Sequence, residues 1–193
     1  TSHKQQIEIE PIFKSIAFNS SKYPEKPAII SGENIITYRE LNDRIHIAAN
    51  IFLEKGIASN SRIGIDSKIG VDLLVGTVSA MMVGGIPVLL PGKNFETCSY
   101  IVKDCQPALL VTGTHEQYNH LAKLGVLTIL LPIYKGTSNL TKDDTLSERL
   151  VNPEDIAMIL YSSGTSSGVK KGVVQQYCAL QKTTEYITKI MDI

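Results

Sequence analysis

Hydrophobic residues fall in short unbroken runs along this chain, and the stretches between the runs have helical length. "RIGID", "IPVLL", "ALLVT", "VLTILL" and "IAMILY" are rich in Ile, Val and Leu and show no polar alternation. Continuous apolar runs suit strands covered on both faces, as in a parallel sheet between two layers of helix. The pattern therefore predicts an α/β fold, a layered and mostly parallel sheet flanked by helices.

The intervening stretches carry their own signals. In "TYRELNDRIHIAANIFLEKG", Thr37 is followed three residues later by Glu40, the spacing of a capping box that satisfies two otherwise orphan amides. Leu41, Ile45, Ala48, Ala49 and Phe52 then share one helical face, and Gly56 provides a left-handed stop. "PAIISGENIIT" predicts a hairpin turning at Ser31-Gly32-Glu33-Asn34. The longest apolar stretch, Ile69 to Pro91, approaches the length that crosses a bilayer, but Asp72, Gly84-Gly85 and Pro87 interrupt it. It predicts a buried helix followed by a buried strand, with Met81, Met82 and Val83 in the core, and no transmembrane segment. The most polar part, Gly136 to Pro153, predicts a surface excursion.

Composition narrows the function classes. A chain of 193 residues is long enough for one substantial core. Its 19 Lys and Arg balance 19 Asp and Glu, so no global field favours nucleic acid or an anionic membrane, and any anion site has to be local. Cys98, Cys105 and Cys178 form no C-x-x-C pair and no even set, which argues against a disulfide framework or structural zinc and predicts a reducing, cytoplasmic setting. Cys98 and Cys105, seven apart, suit packing on one helix face. The opening "TSHKQQIEIE" lacks the basic-then-apolar order of a signal peptide. His3, His46, His115 and His120 are scattered, and His115 and His120 miss the i, i+4 spacing of a helical metal pair. No metal ligand set is expected. The oligomeric state is left open.

The chemistry concentrates in "YSSGTSSGVKKGVV", Tyr161 to Val174, directly after the apolar "IAMILY". Glycines let backbone amides approach an anion, the hydroxyls of Ser162, Ser163, Thr165, Ser166 and Ser167 can donate, and Lys170 and Lys171 add charge. A loop leaving a buried strand of an α/β sheet sits where ligands bind. The common P-loop is excluded, because Val169 rather than lysine follows Gly168. A Ser/Gly-rich joint is the alternative reading of this composition. Flanking runs that suit a core, "IAMILY" and "VVQQY", weigh against it.

This stretch resembles the phosphate loop of the adenylate-forming enzymes, which include acyl-CoA synthetases and the adenylation domains of nonribosomal peptide synthetases. Tyr161, Ser163, Gly164 and Thr165 match on the left of that signature, and Lys171-Gly172-Val173 on the right. The loop is one residue longer than usual and has Lys170 in place of a proline, and Tyr177 stands where many members carry histidine. Upstream, "ITYRELNDRIHIAANIFLEKGI" and "RIGIDSKIGVDLLVGTVSAMMVGGIPVLLPG" are similar to two earlier family segments in the expected order. The resemblance implies that Ser162, Ser163, Gly164, Thr165, Ser166, Ser167, Gly168 and Lys171 bind the phosphates of ATP. No catalytic residue is assigned. It further implies that residues 1–193 are the N-terminal subdomain of a longer ligase, whose other subdomains, most Mg2+ ligands and C-terminal lid lie outside them.

"GGIPVLLPG" is closer to acyl-CoA synthetases, which implies a carboxylic acid substrate, a fatty acid by preference, with coenzyme A as acceptor. An adenylation domain that loads a carrier protein is the second reading. A stand-alone interaction module without catalysis is the third.

Overall fold

The computed structural model describes residues 9–66, 70–131, 146, 149–162 and 170–191. Helix α1 (Ile12–Lys22) precedes a hairpin of β1 (Pro27–Ser31) and β2 (Asn34–Thr37). The strands pair in antiparallel register, with Ser31 opposite Asn34 and Gly32 in the left-handed region at φ 61°. Helix α2 (Tyr38–Glu54) follows at once. Thr37 caps it: its side chain accepts from the Glu40 amide at 3.2 Å, and a Glu40 carboxylate oxygen accepts from the Thr37 amide at 3.1 Å. The predicted face, Leu41, Ile45, Ala48, Ala49 and Phe52, is buried throughout. Thr37→Ala removes the side-chain acceptor and leaves the Glu40 amide to water, and the expected loss is about 1 kcal/mol. A lower urea midpoint with an unchanged slope checks it.

The remaining elements alternate. They are β3 (Arg62–Asp66), α3 (Val71–Met82), β4 (Ile86–Leu90), α4 (Phe95–Cys105), β5 (Leu109–Thr112) and α5 (His115–Leu121). After them come β6 (Thr128–Leu130), β7 (Ile156–Tyr161), β8 (Gly172–Gln176) and α6 (Tyr177–Met191). Strands β3 to β8 form one sheet in the order β6-β5-β3-β4-β7-β8, and every neighbouring pair is parallel except β7 with β8. The predicted mostly parallel α/β sheet is therefore present. The apolar segment before Pro91 is the buried helix α3 followed by β4, and among the described residues no helix is long and apolar enough to cross a membrane.

Successive side chains on a strand face opposite ways, so the sheet has two cores. On one face Ile63, Ile65, Leu109 and Val111 meet α1, α2 and α3. On the other, Val88, Leu90 and Leu110 meet α4 and Leu121 of α5. Gly64 belongs to this second face. A Cβ there would lie 2.6 Å from Leu110 Cδ2 and 3.2 Å from Leu90 Cδ1, so hydrogen is the only side chain that lets those leucines close over the strand.

Three features depart from the pattern in the sequence. Helix α1 carries no signal singled out above, although Phe13 and Ile16 bury into the first core. The run "VVQQY" reads as core, yet Val173 and Val174 of the edge strand β8 are 45% and 50% exposed, because among the described residues nothing covers that side. Most of the polar Gly136–Pro153 segment lies outside the described residues. Within it, Leu146 packs on the first core and Arg149 donates to the Met81 carbonyl at 3.4 Å.

Candidate functional site

The loop after β7 connects two antiparallel strands. Tyr161 at the end of β7 faces Gly172 at the start of β8, and the Ser162 amide donates to the Lys171 carbonyl at 3.0 Å, closing the stem. Gly172 allows a close approach: a Cβ there would lie 3.2 Å from Cζ of the Tyr161 ring, so the ring would have to give by a few tenths of an ångström. The aromatic residue and the glycine of the motif thus form one cross-strand pair.

Helix α4 holds the stem from the side. The Tyr100 hydroxyl donates to the Lys170 carbonyl at 3.0 Å, and the Tyr161 hydroxyl donates to Oδ2 of Asp104. Tyr100 and Asp104 lie four apart, on one helical face, so a single helix reaches both arms of the hairpin. Burial, and then the hydrogen bond to Asp104, push the Tyr161 hydroxyl well above its ordinary value, so it remains a donor across the neutral range. The same helix is capped by Asn94, whose side chain accepts from the Thr97 amide at 3.0 Å.

A cleft of about 500 Å³ opens between these parts at the carboxyl ends of β4 and β7. Its walls are largely apolar, with Leu90, Ile101 and Leu160, while Ser162 and Lys170 put a hydroxyl-bearing residue and a cationic one at the stem. This is a suitable place for an anionic ligand tail, next to a loop rich in donors.

Of the residues assigned to phosphate, Ser162 and Lys171 are described. Ser162 lines the cleft, although its amide is committed to the stem. Lys171 is exposed and stands outside the cleft lining, where its neighbour Lys170 is found. Ser163, Gly164, Thr165, Ser166, Ser167 and Gly168 lie outside the described residues. Tyr177, at the position of the family histidine, opens α6 with its amide donating to the Asp155 carbonyl at 3.1 Å, and its ring is buried in the first core.

Among the described residues no group of three or more His, Cys, Asp or Glu is placed to hold a metal ion. The three cysteines are free thiols. Cys98 and Cys105 sit buried in the second core, and burial pushes them up to about 12 and about 11, so both stay protonated and inert near neutrality.

One residue stands out that the sequence pattern did not single out. Asp66 ends β3 fully buried, and neither of its carboxylate oxygens has a hydrogen-bond partner among the described residues. Burial pushes its carboxyl up to about 6; the Gly92 backbone amide, which donates to the Leu90 carbonyl and makes no well-formed hydrogen bond to Asp66, lowers it by a smaller amount. The signal available was an acidic residue closing the buried run "RIGID", where a polar side chain seldom belongs.

Known proteins are similar to this chain in sequence and in fold. The chain is 32% identical over 165 residues to Tyrocidine synthase 3 of Brevibacillus parabrevis, covering 84% of this chain and 2% of that protein. It is 30% identical over 188 residues to Bacitracin synthase 1 of Bacillus licheniformis, covering 92% of this chain and 3% of that protein. It thus spans a small part of the curated relatives it matches. The crystal structure of a fatty acyl-adenylate ligase from L. pneumophila in complex with acyl adenylate and pyrophosphate superposes with a TM-score of 0.76 at 18% identity, covering 98% of this chain and 34% of that one. The model of the AMP-binding enzyme family matches residues 16–190, nearly the whole chain, with the glycine-rich hairpin inside the matched region; the chain belongs to the AMP-binding enzyme family.

Proposed function

We propose that the full-length polypeptide activates a carboxylic acid with ATP, and that this part of it contributes the phosphate loop. A carboxylate oxygen attacks the α-phosphorus of ATP, the bond to the β-phosphate oxygen breaks, pyrophosphate leaves, and an acyl-adenylate remains. A thiol sulfur then attacks the acyl carbonyl, AMP leaves, and a thioester forms. Such chemistry depends on donors and cations that meet developing phosphate charge more than on covalent help from the protein. The role of this chain is to hold its donor-rich loop over the tail while α4 fixes the stem through Tyr100 and Asp104. Mg2+ accompanies ATP, with its ligands mostly outside this chain.

The observation that carries the reading is the family match over residues 16–190, with the signature loop on a hairpin at the carboxyl edge of the sheet. For the acceptor, the segment "GGIPVLLPG" supports coenzyme A and, with it, a fatty acid. The relatives named as synthases of tyrocidine and bacitracin support the second reading, transfer to a carrier-protein thiol.

Pyrophosphate exchange into ATP, measured on the full-length protein with fatty, aromatic and amino acids in turn, tests activation. Exchange should depend on one class of acid and be absent without it. Failure with every class would end the reading. Adding coenzyme A or a phosphopantetheinylated carrier protein then separates the acceptors by which one releases AMP in stoichiometric amounts.

A further inference from the structure

A second and smaller cavity, of about 230 Å³, lies between the carboxyl ends of β3 and β5. These strands are parallel neighbours, with Asp66 opposite Thr112 in register. The chain leaves β3 for α3, which packs in the first core, and leaves β5 for α5, whose Leu121 packs in the second. Neighbouring strands whose connections depart to opposite faces open a crevice at their carboxyl ends, the topological switch point where open α/β sheets take ligands. The phosphate-loop cleft is elsewhere, at β4 and β7.

Most of the surface of this cavity is apolar, and the polar atoms set into it include buried acceptors. Asp66 is 0% exposed with both carboxylate oxygens unpartnered, and Gln117 is 8% exposed with Oε1 unpartnered, among the described residues. The Thr112 hydroxyl oxygen accepts from the Thr114 amide at 3.4 Å. The Gly92 backbone amide on the lining gives Asp66 only weak support, and three buried acceptors without a well-formed hydrogen bond are costly unless a ligand or water donates to them. Their complement is a positively charged group with several N–H bonds, and a buried carboxylate excludes an anion. A transition metal ion has too few ligands here, since no cluster of three His, Cys, Asp or Glu exists among the described residues. A water occupies about 30 Å³ of liquid, so the cavity has room for an organic cation of several heavy atoms.

We propose that this cavity is a binding site for a small organic ammonium ion, whose N–H bonds are received by the Asp66 carboxylate and the Gln117 side-chain oxygen. The charged and titratable groups around it are Lys93 after β4 and Glu116 on α5, both lining the cavity, the Cys98 thiol on α4, and Asp72 on α3, which lies against Gly113. Lys93 is the cation among these described groups, and it is the internal source of the same head group. The site is independent of the adenylation reading.

The test uses the full-length protein and methylammonium chloride, with sodium chloride at equal ionic strength and tetramethylammonium chloride, which has the charge but no N–H, as controls. At about pH 7.5 methylammonium should raise the melting temperature saturably above both controls. Below about pH 6, where Asp66 takes up a proton, its apparent affinity should fall about tenfold per pH unit. Asp66→Asn should abolish the gain, and Lys93→Met should keep or enlarge it. Equal melting temperatures in the three salts, or an undiminished gain in Asp66→Asn, would overturn the site. A gain seen only in Lys93→Met would give the position to the chain's own lysine and overturn an external ligand.

Discussion

Asp66→Asn is expected to stabilise the protein by about 2 to 3 kcal/mol at pH 7.5 and by only about 0.5 kcal/mol at pH 4, in buffers free of small amines. The carboxyl has an ordinary value of 3.8 and is held at about 6 in the folded chain by burial. Raising a pKa by one corresponds to about 1.4 kcal/mol, so the ionised side chain opposes folding by an amount of this order. The sign follows from proton binding. Folded protein holds the proton more tightly than unfolded protein, so the wild type is most stable relative to the variant below pH 3.8 and loses that advantage as pH rises through about 6. Asparagine has almost the same shape and no charge to bury at any pH. Urea midpoints of both proteins at the two pH values decide the matter. A gain equal at pH 4 and 7.5 would mean that something other than the buried charge is responsible.

Lys171→Ala should lower acid-dependent pyrophosphate exchange about a hundredfold while leaving the urea midpoint in place. Removing one preorganised group that meets developing charge typically costs a factor of about 100 to 1,000. Stability should not change, because the Lys171 side chain is exposed and the stem depends on its backbone carbonyl, which alanine keeps. Lys170→Ala is the informative comparison. Adjacent residues in an extended stem project to opposite sides, so the two lysines do not reach the same point. The proposed phosphate contact is Lys171, by the resemblance of Lys171-Gly172-Val173 to the family signature, whereas Lys170 borders the cleft and has its carbonyl tied to Tyr100. If Lys170→Ala carries the loss and Lys171→Ala does not, the cleft-facing lysine makes the phosphate contact. The extra loop residue has then moved the cation by one position.

The motifs and the structure agree best where interactions are local. Thr37 and Glu40 specify a helix start because both partners of the capping box lie within one turn, and the structure contains both bonds. Ser31 to Asn34 specify a hairpin for the same reason. The core strands are legible because burial on both faces permits only apolar side chains. Strand β8 breaks that rule, since an apolar run records the need for a cover without saying where the cover comes from.

Periodicity and short-range backbone chemistry are enough to give the elements, the layered α/β class and the family signature. They do not reveal that the signature loop closes an antiparallel hairpin pinned by α4, because Tyr100 and Asp104 are far from Lys170 and Tyr161 along the chain and meet them only once the sheet is assembled. Nor do they reveal that Asp66 is buried against a small cavity. An aspartate at the end of a strand can face water or the interior. Strand order, which brings Thr112 and Gln117 across from it, settles which.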